Sequence, residues 1–410
     1  MTKEFIDILI IGAGPSGMVS AGYLEQHGVQ VKVVEKQLFP RFSIGESLIP
    51  RCMDNFEEAG LLEVLKNAGF QKKFGARFIK DEKIGEFDFS QKFGKGWDWT
   101  WQVPRADFDN ILATEVLSRG VDIAFETEVI AADFSNENPI ITIQDKNRYK
   151  TQIEAKFVID SSGFGRVLAG LLDLEKPSKL ESHSSVFTHI EEINRPEGKE
   201  GELITFEILE TEVWFWYIPF SNGKTSLGFV APTNWFKKFD NGPEIAFAEM
   251  LSKLNHYKGR FDNYNVEFAP KQIKHIAKSV TSLYGVKFAL TGNSAEFLDP
   301  VFSSGVSFAT ESGLKAAKLA LKELNGEKVD WQTEYEDYMK QGIDVFSSYV
   351  KAWYNGDLQD IIFHHNPNPD FKEKICAVLA GYVWNLENPF VKKHQRILAT
   401  VANYLKLENI

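Results

Sequence analysis

Residues 6–11, IDILII, run directly into Gly12-Ala13-Gly14-Pro15-Ser16-Gly17, and no other feature constrains the fold as tightly. A short, wholly apolar run reads as a strand buried on both faces, as in a parallel sheet. Met18 to His27 follows with helical spacing and stops at Gly28, which suits a helix C-terminus. Val29 to Lys36 (VQVKVVEK) reads as the next strand, completing one β-α-β unit. In such a unit Gly12 permits the tight turn, Gly14 lets a pyrophosphate approach the backbone, and Gly17 lets helix and strand pack closely. The helix start at Pro15 and Ser16 offers free N–H groups and positive potential to phosphates. Glu35, followed by Lys36, ends the second strand where the ribose of an adenosine is held. A merely structural glycine turn would not require strand, helix and acid together. NAD and FAD share this arrangement, so the rest of the chain must decide between them.

The nucleotide-binding part is expected to be discontinuous. Segments 154–160 (EAKFVID) and 287–292 (KFALTG) read as further buried strands ending in acidic or glycine turns. Together they assign residues 1–75, 102–180 and 270–330 to one domain. Between them Trp97-Asp98-Trp99-Thr100-Trp101 alternates as a strand does. Residues 203–209, 212–220 and 225–231 look like an antiparallel meander, with turns near Thr211 and Asn222-Gly223. Residues 76–101 and 181–269 are therefore expected to form a substrate lobe on an antiparallel sheet. From 331 to 410 the pattern is helical and rich in aromatics, broken by Asn366-Pro367-Asn368-Pro369. The expected class is α/β: a Rossmann-type domain, an antiparallel lobe and a C-terminal helical cap.

Composition narrows the function classes. The 410 residues carry a formal charge of −11, which argues against nucleic acid as a partner. Cys52 and Cys376 are the only cysteines and lack metal-ligand spacing, so neither a disulfide framework nor a zinc site is expected, and a reducing cytoplasm fits. His183, His189, His364 and His365 also lack metal spacing with nearby carboxylates. No apolar stretch has membrane-spanning length, and the N-terminus does not read as a signal peptide.

Three segments favour FAD by resemblance. Val103-Pro104-Arg105-Ala106-Asp107-Phe108-Asp109 is similar to the Arg-x-x-Phe-Asp segment of the flavoprotein hydroxylases (the GR2 type), which implies that Arg105 lies near the flavin. Asp160-Ser161-Ser162-Gly163 resembles their second nucleotide-contact turn. Gly292-Asn293-Ser294-Ala295 with Asp299-Pro300 resembles the segment that meets the ribityl chain. Asn293 departs from the usual aspartate, though its side-chain oxygen can still accept a hydrogen bond. A helix beginning just after Gly305, at Val306, would aim its dipole at the pyrimidine end of the flavin and favour a reduced, anionic state.

Two further motifs resemble the flavin-dependent halogenases. Trp214-Phe215-Trp216-Tyr217-Ile218-Pro219 reads as WxWxIP, and Phe297-Leu298-Asp299-Pro300-Val301-Phe302-Ser303-Ser304-Gly305 fits F-x-x-P-x-x-S-x-G. Segments 39–50 (FPRFSIGESLIP) and 69–76 (GFQKKFGA) are similar to that family too. The resemblance spans about residues 5–325, and the joint match is specific. Taken alone, Trp214 and Trp216 could be core aromatics, and a lysine beside a lysine is usually a solvated charge. The resemblance implies that reduced FAD and dioxygen oxidise a halide held by backbone N–H groups at Ser304 and Gly305. Hypohalous acid then crosses an interior passage, walled by Trp214, Trp216, Ile218 and Pro219, to Lys73. Phe302 stands where tryptophan halogenases carry glutamate, which points to a phenolic or pyrrolic substrate, free or carried on a carrier protein. A separate flavin reductase, or NAD(P)H, would supply reducing equivalents, and secondary metabolism is the expected setting.

Three rival readings stand beside this one. A geranylgeranyl-reductase-like enzyme would share the fold but has no use for Lys73. An aromatic hydroxylase should lack WxWxIP and the lysine. An inactive flavin-binding module is favoured only by Asn293.

Overall fold

The Thr2–Ile11 strand lies at the centre of the larger architecture, parallel to Val31–Val34 on one side and to Lys150–Asp160 on the other. The structure is a computed structural model that describes residues 2–181, 183–192, 195–239, 241–261, 264–366 and 368–408. Parallel pairing continues outward to Asp122–Ala124 and to Phe288–Leu290. The Thr127–Asp133 and Ile140–Asp145 hairpin joins antiparallel through Lys150–Asp160. Ile8, Leu9 and Ile10 are fully buried, as an apolar run covered on both faces must be. The Pro15–Gln26 and Ser304–Leu324 helices pack on this sheet. Gly313 allows their close approach, since a Cβ there would lie 2.5 Å from the Ser16 carbonyl oxygen.

A second sheet has the order Asn265–Val266, His183–Glu191, Lys224–Pro232, Val213–Pro219, Thr205–Glu210, Gly75–Lys80, Lys83–Asp88. The Thr205–Glu210, Val213–Pro219 and Lys224–Pro232 strands form the meander that alternation predicts. Its central strand faces two cores. Trp214, Trp216 and Ile218 pack into the core continuous with the nucleotide lobe. Val213, Phe215 and Tyr217 point the other way, into a cluster with Phe247, Tyr257 and Phe261. Period-two alternation makes this division automatic.

One expected strand is shorter than its pattern. Only Thr100–Gln102 is a strand, paired antiparallel with Gln71–Lys73. Trp97 and Trp99 precede it in irregular backbone after Gly94 and Gly96, whose φ values are 86° and 122°. The three tryptophans instead stack edge to face, at 5.9 Å and 5.2 Å between neighbouring rings. The chain ends in helices that include Tyr338–Tyr354, Pro369–Leu379 and His394–Glu408. Pro367 lies outside the described residues, and Asn368 caps the second of these helices. Among the described residues no helix is long and apolar enough to cross a membrane.

Candidate active site

The glycine turn has the geometry a dinucleotide needs. Gly12 has φ of 101°, and a Cβ on it would lie 2.5 Å from the Ser161 carbonyl oxygen. Gly17 packs on the turn itself, with a Cβ position only 2.0 Å from the Gly12 carbonyl oxygen. Gly14 is open: within 4 Å its Cβ would meet only the Arg41 guanidinium, at 3.7 Å. The Pro15–Gln26 helix starts there without a side-chain cap or an acidic residue in its first turn. Free N–H groups and an adjacent guanidinium suit a pyrophosphate. Arg41 is held in place by Asp109 at 2.9 Å.

Other predicted cofactor residues surround this turn. Glu35 is buried; its carboxylate accepts from the Ala13 N–H at 2.9 Å and from the Gln37 N–H at 2.9 Å, which fixes it beside the turn. Lys36 turns outward to pair with Glu128. Arg105 grips Asp109 through two hydrogen bonds and donates to the Ile44 and Gly45 carbonyls, so it shapes the 39–50 loop. Asp160 is fully buried, with its oxygens accepting from the Ser162 and Leu168 N–H groups. It therefore forms the turn from within, and Gly163 caps that turn with φ of 59°. Gly292 has φ of 55°, and the Asn293 carbonyl accepts from Arg166 at 2.8 Å. The Ser16, Ser161 and Thr291 hydroxyls meet beneath the turn, tying its three segments together.

Ser303, in the left-handed region at φ 57°, launches the Ser304–Leu324 helix, which has no side-chain cap and no acid in its first turn. Ser304 is buried, and Gly305 leaves room for the Phe297 ring, which a Cβ would approach to 3.2 Å. An apolar cavity reaches both residues, walled by Phe297, Leu298, Phe308 and, from the C-terminal region, Met339. Val306 lies next to the 39–50 loop, 3.9 Å from a Cβ placed on Gly45. Phe302 is buried edge-on against Trp353 and Tyr349.

Lys73 is only 2% exposed. Its ammonium donates to the Ser47 Oγ at 2.7 Å and the Leu48 carbonyl at 2.8 Å, and lies 5.6 Å from the Phe89 ring. Burial pulls its pKa down to about 7, against a smaller upward pull from Cys52. Lys72 is exposed and rests on Trp99. Strand alternation thus separates two lysines that look alike in sequence. Burial pushes the Cys52 thiol up to about 11, against smaller downward pulls from Thr310 and Ser307 on the helix and from the Lys73 charge.

Trp216 donates to the Ser226 Oγ at 3.0 Å, and Gly228 lies flat beneath its ring. Trp214 donates to the Tyr354 hydroxyl at 3.1 Å, which donates to Asp299 at 3.0 Å. Burial pushes the Asp299 carboxyl up to about 7, against the Val301 N–H and the Tyr354 hydroxyl. Its second oxygen accepts from the Val301 N–H, so Asp299 supports the Pro300–Phe302 turn. Pro219 accepts at its carbonyl from Gln102, and Ile218 is buried beside it. Arg41, Ser47, Tyr354 and Glu46 were not singled out from sequence, and His189 was weighed only as a metal ligand and set aside. Arg41, Glu46 and Ser47 stand within FPRFSIGESLIP, but nothing local showed what they meet.

The chain matches the family described as FAD binding domain over residues 6–337, and it belongs to that family. It is an FAD-dependent oxidoreductase, and the glycine turn, Arg41 and the open Ser304 helix start fit that cofactor. Its relatives bear out the halogenase resemblance. It is 28% identical to the 1H-pyrrole-2-carbonyl-[peptidyl-carrier protein] chlorinase of Pseudomonas fluorescens, covering 98% of this chain and 95% of that protein. It is 27% identical to the corresponding brominase of Pseudoalteromonas luteoviolacea, over 93% of each. A crystal structure of a flavoprotein/dehydrogenase from Cytophaga hutchinsonii superposes with a TM-score of 0.97 at 48% identity, over 99% of this chain and 100% of that one.

Proposed function

We propose that this flavoprotein halogenates an electron-rich pyrrole or phenol, carried on a carrier protein or free, with reducing equivalents from a separate flavin reductase in the cytoplasm. The observation that carries the reading is Lys73, a buried amine held by one hydroxyl and one carbonyl, with no carboxylate among its hydrogen-bond partners in the described residues. A surface lysine would be solvated, and a structural buried lysine would normally be paired. Bound reduced FAD supplies electrons to dioxygen for oxidation of the halide. Lys73 then holds the oxidised halogen by its N–H groups, or accepts it on a neutral nitrogen, which a pKa near 7 makes accessible. Trp214, Trp216 and Ile218 wall the passage and keep the substrate away from the flavin. The backbone N–H groups at Ser304 and Gly305 hold the halide. Phe302 offers no charge to a cationic intermediate, so the substrate's own heteroatom must stabilise it.

The test is to incubate the protein, reduced FAD, dioxygen and bromide with carrier-bound pyrrole and with a panel of phenols, and to follow product by mass spectrometry. Brominated product is expected from wild type and none from Lys73→Ala, with flavin reoxidation intact in both. Peroxide without brominated product from wild type would overturn the reading.

A further inference from the structure

Glu46 follows Gly45, on which a Cβ would lie 3.9 Å from Val306 in the first turn of the Ser304–Leu324 helix, and precedes the Ser47 that holds Lys73. It is buried, and its backbone carbonyl is pinned by the Val103 N–H at 2.7 Å. One carboxylate oxygen meets His189 Nε2 at 2.5 Å, while the other, also buried, has no hydrogen-bond partner among the described residues. His189 Nδ1 lies 3.4 Å from Glu267, which is 38% exposed and held by Lys224 at 2.6 Å. Three acid–base groups are thus linked contact by contact, from the partly exposed Glu267 through His189 to the buried Glu46. Phe42, Phe220 and Phe268 surround the imidazole at 5.6, 5.4 and 5.0 Å.

A purely structural ion pair would tie the 39–50 loop to the sheet and would satisfy both oxygens. An unpaired buried carboxylate oxygen is costly, and such groups collect where a proton or a ligand is handled. The proposed reaction demands protons. An aromatic C–H, a halide, dioxygen and the anionic reduced flavin give aryl halide, two waters and oxidised flavin only if two protons are taken up per turnover. The buried site needs a way for them to arrive.

We propose that Glu267, His189 and Glu46 form an inward proton relay serving this site, an inference that rests on the halogenase reading. A proton from Glu267 forms a new N–H bond at His189 Nδ1 and makes the ring an imidazolium. The Nε2–H bond breaks as Glu46 takes that proton, and the carboxyl O–H then breaks to form an O–H bond on a dioxygen-derived oxygen that leaves as water. No redox change occurs in the relay. Burial lowers the His189 pKa, but Glu46 and then Glu267 outweigh it, so the net direction is upward. The other charged groups on this side are Lys224, behind Glu267, and Lys271, over the Phe42 and Phe268 rings.

Glu46→Gln keeps the shape and removes the proton carrier. Its halogenation rate is expected to fall about 10- to 100-fold, with a lost solvent deuterium effect and a flattened pH profile. Glu46→Asp should recover part of the rate, and His189→Ala should be rescued by added imidazole. Independently of flavin, the His189 ring of the apoprotein, followed by NMR, should titrate at lower pH in Glu46→Gln than in wild type. Unchanged turnover and pH profile in a folded Glu46→Gln protein would overturn the relay, as would an unmoved His189 titration. If wild type yields no halogenated product, the halogenase reading falls by itself. The relay is then judged on proton uptake during flavin reoxidation, read with a pH indicator: slowed uptake in Glu46→Gln supports it, and equal uptake overturns it.

Discussion

Trp214 and Asp299 are joined through a single hydroxyl, that of Tyr354, which accepts from the indole at 3.1 Å and donates to the carboxylate at 3.0 Å. The two residues come from different motifs and different lobes, and the bridge comes from the C-terminal helical region. Tyr354→Phe leaves a buried indole N–H without its acceptor and leaves the buried Asp299 carboxylate with the Val301 N–H but without the hydroxyl donor on its other oxygen. It should cost roughly 1–3 kcal/mol in urea unfolding and move the Asp299 titration further above 7, because the lost hydrogen bond was pulling it down. An unchanged midpoint would mean that the bridge carries no stability.

Lys73 should leave its mark on stability as a function of pH. Below about 7 its amine is charged in both folded and unfolded chains, and burial penalises the folded one. Between 7 and the ordinary lysine value of 10.5 the folded chain holds fewer protons than the unfolded chain, so this residue's contribution rises with pH. The difference in unfolding free energy between wild type and Lys73→Met should shift in favour of wild type by roughly 3–5 kcal/mol across that window. A difference independent of pH would show that the amine titrates normally.

Cofactor affinity separates two features of the glycine turn. Gly12→Ala forces a Cβ to 2.5 Å from the Ser161 carbonyl at a positive φ, so FAD binding should be lost together with part of the fold's stability. Arg41→Ala leaves the turn intact and removes one cation, so flavin-fluorescence titration should show affinity weakened by about 10- to 100-fold. Equal affinity in Arg41→Ala would place the pyrophosphate away from that guanidinium.

Gly228→Ala puts a methyl 2.3 Å from the Trp216 ring. The ring must move or the strand must shift, at a cost of about 1–3 kcal/mol. Near-UV circular dichroism should register the displaced indole. An unaltered spectrum with unaltered stability would show that the ring has slack.

Much of this site was legible in the chain because its signals are local. Gly12, Gly14, Gly17 and Glu35 announce themselves through a strand, a turn and a helix that follow one another. Trp214 and Trp216 share a face because a strand alternates; Lys73 was singled out in the chain only by resemblance, through its place before Gly75, and its burial beside an exposed Lys72 belongs to the fold. The long-range partners were not legible. Glu46 meets His189, and Tyr354 meets both Trp214 and Asp299, only because separate lobes fold together. The alternation at Trp97–Trp101 misled for a related reason: Gly94 and Gly96 bend the backbone, and ring packing replaces strand pairing there.

The Val213–Pro219 strand serves a different core on each face, and this makes the protein divisible for engineering. Libraries at 214, 216 and 218 would repack the core shared with the nucleotide lobe while the opposite layer keeps its packing. Compensating changes at 213, 215 and 217 could restore robustness without reaching the core face at all. A scaffold in which selectivity and sturdiness occupy alternate residues of one strand lets each be evolved in its own round.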